Sequence, residues 1–83
     1  MVGHVIAARE NYTRVAYEVE GKFGYLDVIG FASLKVGDTI EGELDCCTRT
    51  FISINGEGHI EVCIGLYEIS RDDAIKAYER VPR

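Results

Sequence analysis

The sequence predicts a mainly-β chain: a small antiparallel barrel or strongly curved sheet of five or six strands, followed by a short C-terminal α-helix. Three observations carry this expectation. Apolar residues recur at alternate positions in short runs between residues 2 and 66, the period of strands with one buried face. Turn signals built on glycine separate those runs at close intervals, as in small barrels. From Ser70 onward the period becomes that of a helix.

The first expected strand is Val2 to Ala8, with apolar Val5 and Ile6, interrupted by polar Arg9, Glu10 and Asn11. In the second, Arg14 to Glu20, Val15, Tyr17 and Val19 share one face, while Arg14, Glu18 and Glu20 share the other. Glu20-Gly21-Lys22 reads as a tight turn, since glycine supplies the positive φ of hairpin loops. Phe23 to Val28 then returns antiparallel. Phe23 and Tyr25 lie on one face of it and Leu26 and Val28 on the other, and Gly24 marks a bulge or a sharp bend.

Ile29 to Leu34 reads as an irregular crossing or a single helical turn. Lys35-Val36-Gly37-Asp38 is a turn into a strand over Thr39 to Asp45, in which Ile40, Gly42 and Leu44 face inward and Glu41, Glu43 and Asp45 outward. A strand over Thr50 to Ile54 leads into Asn55-Gly56, the sequence of a type I′ hairpin turn. Its partner, His59 to Leu66, alternates with Ile60, Val62, Ile64 and Leu66 inward. In the helix, Ser70 and Asp73 have the spacing of a capping box, Asp72 and Asp73 complement the positive end of the helix dipole, and Arg80 the negative end. Ala74, Ala77, Tyr78 and Val81 form its apolar stripe, and Pro82 ends it. The helix is expected to pack on the barrel or cover one open end. A single domain spans residues 1–83, with the barrel over 1–69 and the helix over 70–81.

With 83 residues there is room for one core. A hydrophobic fraction of 47% and a charged fraction of 28% are those of a folded globule. No apolar run approaches the ~20 residues of a membrane-spanning helix. The opening MVGHVIAARE lacks the basic segment and long apolar core of a secretory signal, so the expectation is a cytoplasmic protein without a membrane partner. Three cysteines, two of them adjacent, make a poor disulfide framework and agree with that compartment. The net charge of -5 weighs against general nucleic-acid binding, which relies on cations to displace phosphate counterions. The acidity is uneven: residues 1–69 carry five Lys/Arg against eleven Asp/Glu, residues 70–83 four against three.

Leu34-Lys35-Val36-Gly37-Asp38-Thr39-Ile40-Glu41-Gly42-Glu43-Leu44 resembles a stretch found in OB-fold domains of the S1 and cold-shock type, where such a turn feeds a barrel strand. Gly21-Lys22-Phe23-Gly24-Tyr25 is similar to their aromatic-bearing, base-stacking strand. The resemblance spans residues 2–66. It implies single-stranded nucleic-acid binding, with bases stacked on Phe23 and Tyr25, then on Phe51 and His59, and phosphates held by Lys22, Arg14 and Arg49. The chain departs from that pattern in its few basic residues and in Glu18, Glu20, Glu41 and Glu43, which repel a phosphate backbone.

Other chemistry is poorly supported. Cys46, Cys47, Cys63, His4 and His59 lack the paired spacing of zinc ligands, and adjacent cysteines in a strand point to opposite faces, one into the core and one to the surface. No base or helix N-terminus near a cysteine is visible to activate a thiol. No phosphate-cradling glycine loop and no serine-nucleophile motif occurs. The aromatics Tyr17, Phe23, Tyr25, Phe31, Phe51 and Tyr67 read first as core and girdle, and Ile29-Gly30-Phe31 as a contact loop or a plug for the barrel end. Glu18, Glu20, Glu41, Glu43, Asp45 and Glu61 occupy outward faces, as a solvated surface or as a field that steers a basic protein. The leading expectation is a non-enzymatic protein-interaction module, without cofactor or metal, that binds through Glu18, Glu20, Glu41 and Glu43. It acts as an inhibitor, an accessory subunit or a homo-oligomer. The alternative is an OB-like domain that binds single-stranded nucleic acid through Lys22, Phe23, Tyr25, Arg49 and Phe51.

Overall fold

The chain forms a closed barrel of six antiparallel strands with one helix packed on its outside. The computed structural model describes residues 1–10, 12–30 and 33–80, so the expectations for Phe31, Val81 and Pro82 lie outside the described residues. The strands are β1 (Val2–Ala7), β2 (Arg14–Val19), β3 (Lys22–Ile29), β4 (Thr39–Glu41), β5 (Arg49–Ile54) and β6 (Glu57–Ile69). The helix α1 is Arg71–Glu79. Around the barrel the order is β1-β2-β3-β6-β5-β4, and β4 pairs back onto β1.

Two hairpins follow from their turn residues. Glu20 and Gly21 have φ of 49° and 83°, and Asn55 and Gly56 have 53° and 77°, so both central residues of each loop are left-handed, as a type I′ turn requires. The Lys35–Asp38 turn is held by side chains. Asp38 Oδ2 accepts from the Lys35 N–H at 2.8 Å, Asn55 Nδ2 donates to Asp38 Oδ1 at 3.2 Å, and Asn55 Oδ1 accepts from the Thr39 N–H at 2.8 Å. One turn thereby fixes the neighbouring hairpin. Between Gly30 and Thr39, Ser33, Leu34 and Lys35 have no regular structure, and Leu34 reaches the core.

The core draws Val5 from β1, Val15, Tyr17 and Val19 from β2, Leu26 and Val28 from β3, Ile40 from β4, Ile52 from β5, and Val62 and Ile64 from β6. Fully burying a Val, Leu or Ile side chain contributes roughly 1.5–3 kcal/mol, so this set drives closure. Outside the barrel, α1 covers β2 and β3. Ala74 and Tyr78 pack with Ala16, whose small side chain points outward from β2, and Phe23 and Ile69 join them. Ser70 caps the helix, its Oγ accepting from the Asp73 N–H at 3.0 Å.

Two expectations are corrected. Strand pairing ends at Glu41 rather than Asp45. The Gly42 N–H still bonds the Met1 carbonyl, but the Leu44 N–H turns back to the Gly42 carbonyl, and the chain leaves the ladder. Leu44 is buried all the same, carried inward by that bend. The second correction is Leu66, which is 56% exposed rather than inward. Leu26 pairs with Ile64 and Gly24 with Tyr67, so β6 takes three steps where β3 takes two. This bulge reverses the alternation: Tyr67 packs against the core and Leu66 faces out. A second bulge follows, since Phe23 pairs with Ile69, and Glu68 between takes φ 62°.

Candidate functional site

The strand order brings Glu18, Glu20 and Glu41 to the two sides of β1, while Glu61 lies apart on β6. β1 lies between β2 and β4. Glu18 of β2 is directly opposite His4, and Glu41 of β4 is directly opposite Val2. Directly opposed side chains start ~5 Å apart, so both carboxylates flank β1. Carrying the β1–β2 register on by two residues puts Glu20 on the other side of Val2. A shallow depression of about 200 Å³ there is lined by Met1, Val2, Val19, Glu20, Lys22 and Tyr67. Glu43 follows Gly42, whose carbonyl accepts from the Met1 amino group at 3.0 Å. Glu18, Glu20, Glu41 and Glu43 therefore surround the start of β1. At their centre, Met1 and Val2 are 44% and 49% exposed.

The floor of this end is a pair of tyrosines. The Tyr17 and Tyr67 rings stack with centroids 6.1 Å apart and planes 8° from parallel. The Tyr17 hydroxyl donates to the Leu44 carbonyl inside the barrel and so ties down the segment that carries Glu43 and Asp45. Burial pushes the Tyr17 hydroxyl well above the usual tyrosine range, with Tyr67, Cys47, Cys46 and Asp45 adding to the effect. Tyr67 is also raised, first by burial; Lys22 opposes this, and Glu68, Asp45 and Glu20 add to it. The Lys22 ammonium lies 3.2 Å from Glu68, and that hydrogen bond raises its pKa.

The aromatic and basic residues of the alternative reading are dispersed. Phe23 is half-buried beneath α1. The Tyr25 ring lies over Gly65 and under the Arg14 guanidinium, whose carbon is 4.6 Å from the ring centroid. Arg14 makes a bidentate pair with Asp27 at 2.8 and 3.1 Å and donates to the Ala77 carbonyl at 3.2 Å. Its pKa is raised, first by the Asp27 hydrogen bond and against desolvation. Arg49 pairs with Glu61 at 3.2 Å. Phe51 is 63% exposed on β5, separated from β3 by β6. Lys22 sits with the acidic end. His59 is exposed at the Asn55-Gly56 hairpin.

Cys46 packs against the core and its thiol donates to the Glu43 carbonyl at 3.1 Å, while Cys47 is exposed. They lie in the bends before β5 rather than in a strand. Among the described residues, no three His, Cys, Asp or Glu side chains cluster as a metal site would require. No helix among them is long and apolar enough to cross a membrane. Sequence reasoning missed a second feature, a groove of about 400 Å³ between α1 and the β3–β6 pair, whose walls include Arg14, Tyr25, Leu66, Lys76 and Arg80. The signals for it were the outward Ala16, which leaves room for the helix, and the basic excess after residue 69. Compared with models of protein families, with curated proteins and with solved structures, the chain matches none.

Proposed function

We propose that the protein is a non-enzymatic interaction module whose acidic barrel end binds a basic protein surface. The observation that carries this reading is the ring of Glu18, Glu20, Glu41 and Glu43 around exposed Met1 and Val2. An apolar centre with a charged rim is the anatomy of a protein contact: the centre loses water on binding, and the rim steers and orients the partner. A partner with an apolar residue flanked by Lys or Arg complements it. Such a module acts by occupying its partner, as an inhibitor or accessory subunit does.

The test is a backbone amide NMR titration at low salt with a lysine-rich peptide that carries one leucine. Shifts are expected at Met1–His4, Glu18–Lys22 and Glu41–Asp45. Val2→Ser is expected to weaken binding several-fold, whereas a peptide with glycine in place of leucine binds both proteins equally weakly. Equal binding of the two peptides would reduce the acidic end to an unspecific field and refute the reading. Mixed-sequence single-stranded RNA in the same experiment tests the OB-like alternative. Shifts confined to Lys22–Leu26 and Arg49–Ser53 would favour that reading instead. OB domains are five-stranded and partly open; this barrel has six strands and closes. Arg14 and Arg49 are already engaged by Asp27 and Glu61.

A further inference from the structure

We propose that the groove beside α1 receives the acidic end of a second copy of this chain, joining molecules head to tail. This rests on the binding role of the acidic end and names one partner for it. The groove inverts the composition of that end. Its apolar floor is Tyr25, Ile69 and Leu66, the last turned outward by the bulge in β6. Its charged wall is Lys76 and Arg80, both exposed. Among the described residues, no carboxylate pairs with either cation. Asp73 also lines the groove, and Arg14 is neutralised by Asp27, so the free positive charge sits towards the C-terminal end of α1.

Met1 and Val2 ringed by carboxylates thus meet Leu66 and Ile69 flanked by cations. The two surfaces belong to different parts of the fold: one surrounds the start of β1, the other lies between α1 and β6. A contact between them is heterologous. Each assembly keeps one free acidic end and one free groove, so growth continues unless a ring closes. The contact is charge-rich and is screened over about 10 Å at moderate salt, so it dissociates as salt rises.

Sedimentation velocity decides the matter. At low salt the average mass of the wild-type chain is expected to rise with concentration and to fall back to one chain in high salt. A groove variant, Lys76→Gln with Arg80→Gln, and an end variant, Glu41→Lys with Glu43→Lys, are each expected to remain single chains. Mixed in equal amounts they are expected to form a species of two chains and no larger, because each supplies the one surface the other lacks. All four positions are exposed, and circular dichroism checks that the variants fold; Leu66→Ser gives a further uncharged disruption of the same contact. A wild-type chain that stays monomeric at every concentration, or variants that do not recombine, would overturn the proposal. The monomeric groove variant keeps the acidic end intact. Its titration with the leucine-bearing peptide therefore reports on the proposed function separately.

Discussion

Replacing Tyr17 with Phe removes one hydroxyl from the barrel interior and leaves the ring in place. That hydroxyl donates to the carbonyl of Leu44, a residue with no exposed surface. Losing the donor leaves a buried carbonyl without this partner, which costs about 1–3 kcal/mol. In a chain of this size, each kcal/mol lowers the melting temperature by about 4–8 °C. The variant is therefore expected to melt several degrees lower and to loosen the segment that carries Glu43 and Asp45. Alkaline pH adds a second signature. The Tyr17 pKa is raised in the folded chain, whereas the unfolded chain titrates near ~10. The stability gained by keeping this hydroxyl neutral is complete below that pH. As pH rises further the unfolded chain gives up its proton first, and stability falls by up to about 1.4 kcal/mol per pH unit. The Phe variant lacks this dependence, although Tyr67, also raised, keeps its own in both proteins. Urea unfolding at neutral and alkaline pH is expected to show the two stabilities converging as pH rises. Equal stability at neutral pH, or a gap that does not narrow in alkali, would refute the assignment.

Three further substitutions have defined outcomes. Gly24→Ala places a Cβ 2.7 Å from the Leu66 carbonyl oxygen and 2.9 Å from the Tyr17 hydroxyl, neither free to retreat; overpacking of this kind costs about 1–3 kcal/mol, measurable as a lower urea midpoint. Arg14→Lys keeps the charge but cannot make the fork to Asp27 and the bond to the Ala77 carbonyl together; it is expected to cost about 1 kcal/mol and to raise amide exchange in α1. Ser70→Ala removes the cap on the Asp73 N–H and is expected to cost about 1 kcal/mol, whereas Ser70→Asp retains stability.

The parts of the fold legible in the sequence are those fixed locally. Asn55-Gly56 announces its hairpin because both residues take positive φ, and Ser70 announces α1 because its side chain caps Asp73. The strand faces of β2 follow from alternation alone, with Val15, Tyr17 and Val19 buried as expected. Alternation misplaces Leu66 because it counts residues on one strand, while a bulge depends on the partner strand. Leu44 is buried as alternation predicts, but a bend beyond β4 buries it rather than strand periodicity. The acidic residues were legible as outward-facing. Their convergence around Met1 and Val2 was not, because it requires β4 to pair with β1 across more than thirty residues of chain. The covering of Phe23 likewise depends on where α1 docks, and the only local sign was an alanine at position 16 between Arg14 and Glu18.

Closure of the barrel restricts how the protein can bind. Each strand is paired on both sides over at least part of its length, which leaves little backbone for a partner strand to pair with, so recognition rests mainly on side chains. On the proposed function, the side chains of the acidic end divide into two kinds with different kinetic roles. On that proposal, Glu18, Glu20, Glu41 and Glu43 act at a distance and accelerate encounter with a basic partner, whereas Met1 and Val2 act only once water has been expelled and would hold the complex together. Glu41→Lys with Glu43→Lys is therefore expected to slow association by about tenfold at low salt and to remove most of its salt dependence. Val2→Ser is expected to leave association nearly unchanged and to speed dissociation several-fold. Surface plasmon resonance with the leucine-bearing peptide separates the two rates. If Val2→Ser changes only the association rate, or the double charge reversal changes only dissociation, the division between a steering rim and an apolar anchor is wrong.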